Sequence, residues 1–90
     1  MFDKLKMINQ AREMQKKMGS IVISETFRGV KIDMNGRQEA VVLEIIDTEL
    51  LNDKDKLQKI LLETFNNAVR KSQSETATKM RGEMGGLFGM

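Results

Sequence analysis

The sequence predicts an α+β fold with the element order α-β-β-β-α, in which a three-stranded antiparallel meander lies between two helices. Three observations support this. The first residues carry apolar side chains at helical spacing, the middle alternates around an Asn35-Gly36 turn signal, and the last third is again helical and charged. Ninety residues make one domain. We expect residues 1–81 to form it and the Gly-rich residues 82–90 to form a flexible tail.

Composition argues against several classes of function. The chain has no Cys and no His, which rules out disulfides and ordinary zinc or iron sites. Catalysis would depend on Asp, Glu or Lys alone, and no glycine fingerprint for a nucleotide is present. We therefore expect no enzyme activity, no cofactor, no metal and no small-molecule substrate. No apolar run is long enough to span a membrane, so we expect a soluble cytoplasmic protein without a membrane partner.

Residues 2–18 are predicted to form the first helix. An apolar stripe at positions i, i+4, i+7 and i+11 is typical of a helix that packs on another helix. It consists of Met7, Ala11, Met14 and Met18. Flexible Met side chains suit an interface between subunits, so Met7 and Met14 are candidate dimer contacts. Basic residues lie largely off this stripe and are expected to face water: Lys6, Arg12, Lys16 and Lys17.

The middle of the chain predicts three strands. Residues 21–27 are expected to form the first, and Arg28-Gly29 the turn that leads to the second. The second strand alternates apolar and polar residues cleanly, so its apolar side chains are expected to share one face. These side chains are Val30, Ile32 and Met34.

The Asn35-Gly36 dipeptide signals the hairpin between the second and third strands. A two-residue loop there would set Ile32 opposite Glu39, so that a carboxylate would face the core. We therefore favour a longer loop, Asn35–Gln38, which sets Ile32 opposite Val41. The expected inner face of the third strand is then Val41, Leu43 and Ile45.

The outer face of the third strand is unusually apolar, with only Glu44 interrupting it. An apolar edge strand invites pairing with another chain. We therefore expect a homodimer joined through the sheets, since a second copy would cover this surface. The candidate interface residues on the strand are Ala40, Val42 and Ile46.

Residues 47–51 are predicted to form a short turn whose two leucines, Leu50 and Leu51, lie under the sheet.

Asn52 or Asp53 is the predicted N-cap of the second helix, which is expected to run to about Met80. Its apolar face ends at Val69, and the residues that follow are almost wholly polar. Residues 54–81 as one helix would span roughly 40 Å, which is longer than a compact domain of this size. The distal part, residues 69–81, is therefore expected to project beyond the core, to fray or to lean on another helix, and its basic residues are Arg70, Lys71, Lys79 and Arg81.

Charge is distributed unevenly along the chain. Residues 1–18 carry five basic and two acidic side chains, a net +3, and residues 54–90 carry seven and four, also +3. The middle carries three basic and seven acidic side chains, a net −4. Basic flanks are typical of surfaces that bind polyanions, and equally of ordinary solvated helices.

Two functions fit basic helices without a catalytic centre. Binding of DNA would depend on Lys and Arg contacts with phosphates, which gives weak sequence selectivity and strong salt dependence. The alternative is a protein-interaction adaptor, in which the helices and the Met stripe clasp an amphipathic partner helix.

Three motifs follow one another in a specific order: the Asn35-Gly36 hairpin, the Leu50-Leu51 turn and the stretch from Asn67-Ala68 to Arg70-Lys71. Together they resemble the YbaB/EbfC family of small bacterial nucleoid-associated proteins. The resemblance implies a tweezer-like homodimer whose projecting helix tips grip double-stranded DNA in the nucleoid. It assigns DNA contacts to eight positions of this chain, which are Lys6, Arg12, Lys16, Lys17, Arg70, Lys71, Lys79 and Arg81.

Overall fold

The computed structural model describes the backbone of residues 2–87 and the side chains of residues 4–82. The elements are α1 (Phe2–Ser20), β1 (Val22–Phe27), β2 (Val30–Asn35), β3 (Ala40–Ile45), a short 3-10 helix (Thr48–Asn52) and α2 (Lys54–Leu87). The strands form one antiparallel sheet in the order β1-β2-β3. This confirms the predicted α-β-β-β-α fold class.

The molecule is elongated. Its principal extents are 59 × 26 × 15 Å and its radius of gyration is 17.4 Å, whereas a compact domain of this length would have a radius of gyration of about 12 Å. The 34 residues of α2 alone span about 51 Å. Length therefore comes from helices that extend past a small sheet.

The core lies between α2 and the first two strands, which α2 crosses. The predicted alternation on β2 is confirmed, because Val30, Ile32 and Met34 are at most 1% exposed. Ile60 and Ala68 of α2 close the core from above, at 4% and 0% exposure. Burial of each large apolar side chain stabilises the fold by about 1.5–3 kcal/mol.

The 3-10 helix connects the sheet to α2. Leu50 is buried, but Leu51 is 62% exposed, so the expectation that both leucines tuck under the sheet is wrong for the second. A 3-10 helix has three residues per turn, so neighbouring side chains point in different directions. Asp53 then caps α2, since its Oδ1 accepts from the amide of Lys56 at 3.1 Å.

The turn between β1 and β2 is a two-residue loop in which both backbones have positive φ. These are Arg28 at 49° and Gly29 at 92°, as in the type I′ turns that suit the twist of a hairpin. The carbonyl of Gly29 then accepts from the amides of Ile46 and Asp47, at 2.7 and 3.1 Å. The tightest turn of the sheet is therefore this one, and Asn35-Gly36 belongs to a longer loop.

The predicted register between β2 and β3 is wrong by two residues at Ile32, which stands opposite Leu43 instead of Val41. The cause is a bulge, because Met34 pairs with Ala40 while its neighbour Asp33 pairs with Val42, which leaves Val41 as an extra residue.

The loop that precedes the bulge is short and closed by two backbone hydrogen bonds. Gln38 donates to the carbonyl of Asn35 and Asn35 donates to the carbonyl of Glu39, both at 3.0 Å. The positive φ of 59° falls on Gln38, as in three-residue loops built from a turn and one left-handed residue. The loop thus occupies the predicted positions, although the register beyond it differs.

The bulge and the position of α2 together change the faces of β3. Ala40 stands across from buried Met34, so it leaves the outer row in which simple alternation placed it. Leu43 lies across from Ile32 as an inner-face residue should, yet it is 56% exposed. The reason is that α2 lies over β1 and β2 and leaves β3 uncovered in the single chain.

The buried face of α2 extends farther than its apolar residues do. Five buried residues recur every four positions along it: Ile60, Thr64, Ala68, Ser72 and Thr76. The packed face therefore continues beyond Val69, where the predicted apolar face ends. Small hydroxyl side chains continue this face because they allow the helix to approach the hairpin loop closely.

α2 continues as a helix to Leu87, beyond the predicted end near Met80 and through the first part of the predicted tail. Each glycine in a helix costs about 1 kcal/mol relative to alanine but does not block the hydrogen bonds, and the chain contains no proline. Residues 88–90 of the predicted tail lie outside the described residues.

Candidate nucleic-acid interface

α1 joins the rest of the molecule at its C-terminal turn. The carbonyl of Met18 accepts from the amides of Gly36 at 2.8 Å and Ile21 at 3.3 Å. In contrast, the side chains of residues 4–13 are all exposed. Residues 4–20 carry five basic side chains and one acidic side chain, a net +4. α1 is therefore a positively charged arm that is anchored at one end.

Arg70 and Lys71 lie beside the sheet and not on a projecting tip. The Nζ of Lys71 donates to the carbonyl of Ser24 in β1 at 2.8 Å, and the guanidinium of Arg70 donates to Asn67 Oδ1. The next residue, Ser72, is fully buried. The prediction that residues 69–81 project is thus wrong for the part that precedes Thr76, because the helix is still packed there.

Lys79 and Arg81 follow Thr76, the last buried position among the described side chains of α2, and are exposed. Lys79 shares a cleft of about 290 Å³ with Lys17 of α1. The remaining lining residues are Ser20, Ile21 and Met80. Of the eight predicted DNA contacts, the fold thus brings Lys17 and Lys79 together from distant parts of the sequence.

The β2–β3 loop contacts both helices, at residues close in sequence to the two cleft lysines. On the α2 side, Ser72 Oγ donates to the carbonyl of Asn35 at 2.7 Å. On the α1 side, the amide of Gly36 donates to the carbonyl of Met18. The loop itself is braced by Asn35 Oδ1, which accepts from the amides of Arg37 at 2.9 Å and Glu39 at 3.1 Å. Both basic helices are therefore held by one rigid turn.

The sequence matches the YbaB/EbfC DNA-binding family over residues 1–87. The chain belongs to this family. It is 34% identical over 87 residues to a protein named nucleoid-associated protein from Aliarcobacter butzleri (strain RM4018). The aligned region covers 90% of this chain and 81% of that relative. Its fold is similar to the crystal structure of an uncharacterized protein from Helicobacter pylori, with a TM-score of 0.70, 23% identity and coverage of 88% and 85% of the two chains.

Membership of the YbaB/EbfC family confirms the resemblance drawn from the ordered motifs, and the solved structure supports the fold. The family is described by DNA binding and not by a reaction. Within residues 4–82, no group of three or more His, Cys, Asp or Glu side chains could hold a metal ion. Neither helix, over the part of the chain that is described, is long and apolar enough to cross a membrane.

On α1 of this YbaB/EbfC chain, all four predicted DNA contacts are exposed, namely Lys6, Arg12, Lys16 and Lys17. The Met stripe is uncovered toward the N-terminus, since Met7 is 67% exposed while Met14 is half-buried. On β3, the predicted interface residues Ala40, Val42 and Ile46 are exposed as well. DNA contacts and dimer contacts both remain predictions at these positions.

Arg37 is a basic residue of this region that the sequence reasoning missed. Its guanidinium lies against the backbone of Gly19 at the end of α1, where a Cβ on that glycine would be 2.7 Å from a guanidinium nitrogen. Its Nε pairs with Glu39 at 3.1 Å. The available signal was a basic residue inside the hairpin loop, but only the fold shows that this loop meets α1.

Proposed function

We propose that this protein is a nucleoid-associated protein that binds double-stranded DNA with weak sequence selectivity, as a homodimer in the bacterial cytoplasm. The observation that carries the proposal is the meeting of two exposed basic helices at the Lys17–Lys79 cleft, in a chain of a DNA-binding family. The name of the relative from Aliarcobacter supports the nucleoid as the location.

Phosphate contacts by lysine and arginine are the proposed means of binding. The chain has only four aromatic residues, all Phe, and the sheet offers no aromatic platform for base stacking. Contacts with phosphates position a protein on the duplex without reading its sequence. The best-placed candidates are exposed and lie on α1 or beyond the packed part of α2: Lys6, Arg12, Lys16, Lys17, Lys79 and Arg81.

A homodimer is proposed because β3 is apolar and uncovered. Val41, Val42, Leu43 and Ile46 are between 45% and 56% exposed, and soluble monomers rarely leave such a cluster in water. A second copy seated on β3, with contributions from Met7 and Met14 of α1, would cover it. The dimer would hold four basic helices in a fixed relation. Sedimentation equilibrium at micromolar concentration tests this, and a monomer would rule it out.

Fluorescence anisotropy with a labelled duplex between about 50 and 200 mM salt tests DNA binding. Each engaged phosphate steepens the dependence of log affinity on log salt by about 0.9. The double variant Lys16→Ala/Lys17→Ala is expected to lower this slope by up to about 1.8 for each engaged subunit. Absence of binding by the unaltered protein at low salt would refute the proposal.

The matched control is Lys54→Ala/Lys56→Ala, which removes the same charge from exposed positions at the opposite end of α2. Lys54 and Lys79 are 25 residues apart on one helix, roughly 37 Å, which is several Debye lengths at physiological salt. The control is therefore expected to keep the slope of the unaltered protein. An equal loss in both variants would show that net charge, and not the cleft region, determines affinity.

The adaptor function is the second candidate, and the exposure of the α1 stripe favours it. Leu5, Met7 and Ile8 are 61%, 67% and 52% exposed, as expected of a surface that clasps an apolar helix. Salt separates the two functions, because apolar contacts persist where phosphate contacts dissociate. A pull-down before and after nuclease treatment gives the same distinction, since DNA-mediated partners are lost.

A further inference from the structure

The β2–β3 loop contacts residues that are close in sequence to both cleft lysines. The amide of Gly36 donates to the carbonyl of Met18 at 2.8 Å, and Met18 directly follows Lys17. On the other side, Thr76 Oγ1 lies 2.8 Å from the point that a Cβ on Gly36 would occupy, and Lys79 follows Thr76 by three residues. Each lysine is therefore within one helical turn of a contact with Gly36.

Space, and not backbone conformation, requires glycine at this position. A Cβ on Gly36 would be 2.5 Å from the carbonyl oxygen of Met18 and 2.8 Å from Thr76 Oγ1. The positive φ of the loop falls on Gln38 instead. Thr76 can change its side-chain rotamer, but the Met18 carbonyl belongs to the backbone of α1. A side chain at position 36 would thus displace the end of α1.

The other contacts of the loop make it the common support of both helices. Ser72 holds α2 to the carbonyl of Asn35, and Arg37 lies against Gly19 of α1. Thr76 Oγ1 is buried but has no hydrogen-bond partner among the described residues. Close packing against Gly36 is therefore kept at this position at the expense of a hydrogen bond. Met18, Gly36 and Thr76 together are called the joint below.

We infer that Gly36 is a positioning residue for DNA binding. By seating the end of α1 against the loop and α2, the joint fixes the separation of Lys17 and Lys79, so that both contact phosphates of the same duplex. The ligand chemistry is the phosphodiester backbone of DNA, and Gly36 itself does not touch it. The inference rests on the proposed function.

The experiment compares Gly36→Ala with Gly82→Ala in the full chain. At Gly82 a Cβ would meet nothing within 4 Å among the described residues, so this control adds the same methyl group without a clash. Neither variant changes the net charge. Gly36→Ala is expected to lower the salt slope by roughly 0.9–1.8 for each engaged subunit and the affinity at about 50 mM salt roughly tenfold or more, because one or both lysines leave the duplex. Gly82→Ala is expected to match the unaltered protein.

Lysine substitutions in both backgrounds test positioning directly. In the unaltered protein, Lys17→Ala and Lys79→Ala are each expected to lower the slope by about 0.9 for each engaged subunit. In the Gly36→Ala background at least one of them is expected to have no further effect, since that lysine is already out of contact. Full effects of both in that background would overturn the inference.

A distance measurement separates displacement of α1 from loss of folding. The chain has no native cysteine, so spin labels can be placed at the exposed positions Gln15→Cys and Gln73→Cys, with labelled chains diluted in unlabelled protein. Double electron–electron resonance spectroscopy is expected to show a shifted or broadened distribution of label distances between α1 and α2 in Gly36→Ala, and an unchanged distribution in Gly82→Ala.

If Gly36→Ala unfolds, Gly36→Ala/Thr76→Ala removes the side-chain contact and keeps the clash with the Met18 carbonyl. This variant is expected to fold with α1 still displaced. Native slope and native distance in the folded variant would overturn the inference while DNA binding by the unaltered protein stands. Failure of the unaltered protein to bind DNA would instead refute the proposed function.

Discussion

The two strands that flank β2 show opposite relations between composition and burial. β1 is half polar, with three polar residues among its six, yet its Ile23 is only 4% exposed beneath α2, and Lys71 contacts its Ser24 carbonyl. β3 is almost wholly apolar, yet Val42 and Leu43 are 45% and 56% exposed. α2 therefore covers the more polar flank of the sheet and leaves the more apolar flank open. Apolar residues on an uncovered strand are useful to the fold only if something outside this chain covers them.

The largest expected effect is on the covered flank. Ile23→Ala is expected to lower the free energy of unfolding by about 2–5 kcal/mol, because it removes a buried side chain and leaves a cavity in the core. Urea denaturation measures this. The neighbouring Val22→Ala changes a side chain that is 53% exposed on the opposite face and is expected to cost about 0.5 kcal/mol or less. Similar losses in the two variants would contradict the burial pattern of β1.

The second prediction compares matched valines on the two flanks. Val22 and Val42 lie on the two outer strands, where they pair with Asn35 and Asp33 of β2, and they are exposed to similar extents. Threonine has nearly the same shape and keeps the β-propensity, so Val→Thr mainly introduces a hydroxyl. If β3 is the seam of the proposed homodimer, Val42→Thr is expected to weaken dimerisation about tenfold, since burying an unpartnered hydroxyl costs about 1–3 kcal/mol.

Val22→Thr is expected to leave the dimer dissociation constant unchanged within about threefold, because the free energy of dimerisation then changes by less than about 1 kcal/mol. Sedimentation equilibrium over a concentration series measures both variants. If Val42→Thr dimerises like the unaltered protein, the seam lies elsewhere than on the outer face of β3. The inner-face residue Leu43 would then be the next position to substitute.

Local patterns were sufficient to predict the elements of this fold. Alternation on β2 identified its buried face, and the polar residues that precede α2 included the true cap, Asp53. Leu50 was correctly expected beneath the sheet. Each of these features depends on residues that are close together in sequence, and for that reason a sequence pattern can predict them.

Features that depend on distant contacts could not be predicted in this way. The bulge at Val41 shifts the register by an amount that strand composition does not encode. Ser72 and Thr76 lie in the polar stretch that was expected to project beyond the core, whereas their small size lets α2 reach the hairpin loop. The same holds for Lys71, whose contact with Ser24 lies 47 residues away along the chain.

The smallest expected effect concerns how the polar flank is held in place. Lys71→Met keeps the aliphatic stem and removes the hydrogen bond to the Ser24 carbonyl, so it is expected to lower the free energy of unfolding by about 0.5 kcal/mol, since the bond is exposed to water. If DNA is bound as proposed, the salt slope of DNA binding is expected to stay unchanged in this variant, because the ammonium group of Lys71 donates to the Ser24 carbonyl of β1 and not to a phosphate.

Lys79→Met is the matched comparison, since it removes the same charge from an exposed position of the same helix. It is expected to leave the free energy of unfolding unchanged and to lower the salt slope by about 0.9 for each engaged subunit. Substitution of Lys71 is thus expected to affect stability alone, and substitution of Lys79 DNA affinity alone. A slope that falls equally in both variants would mean that DNA draws Lys71 away from Ser24, and that β1 is held by its packing under α2 alone.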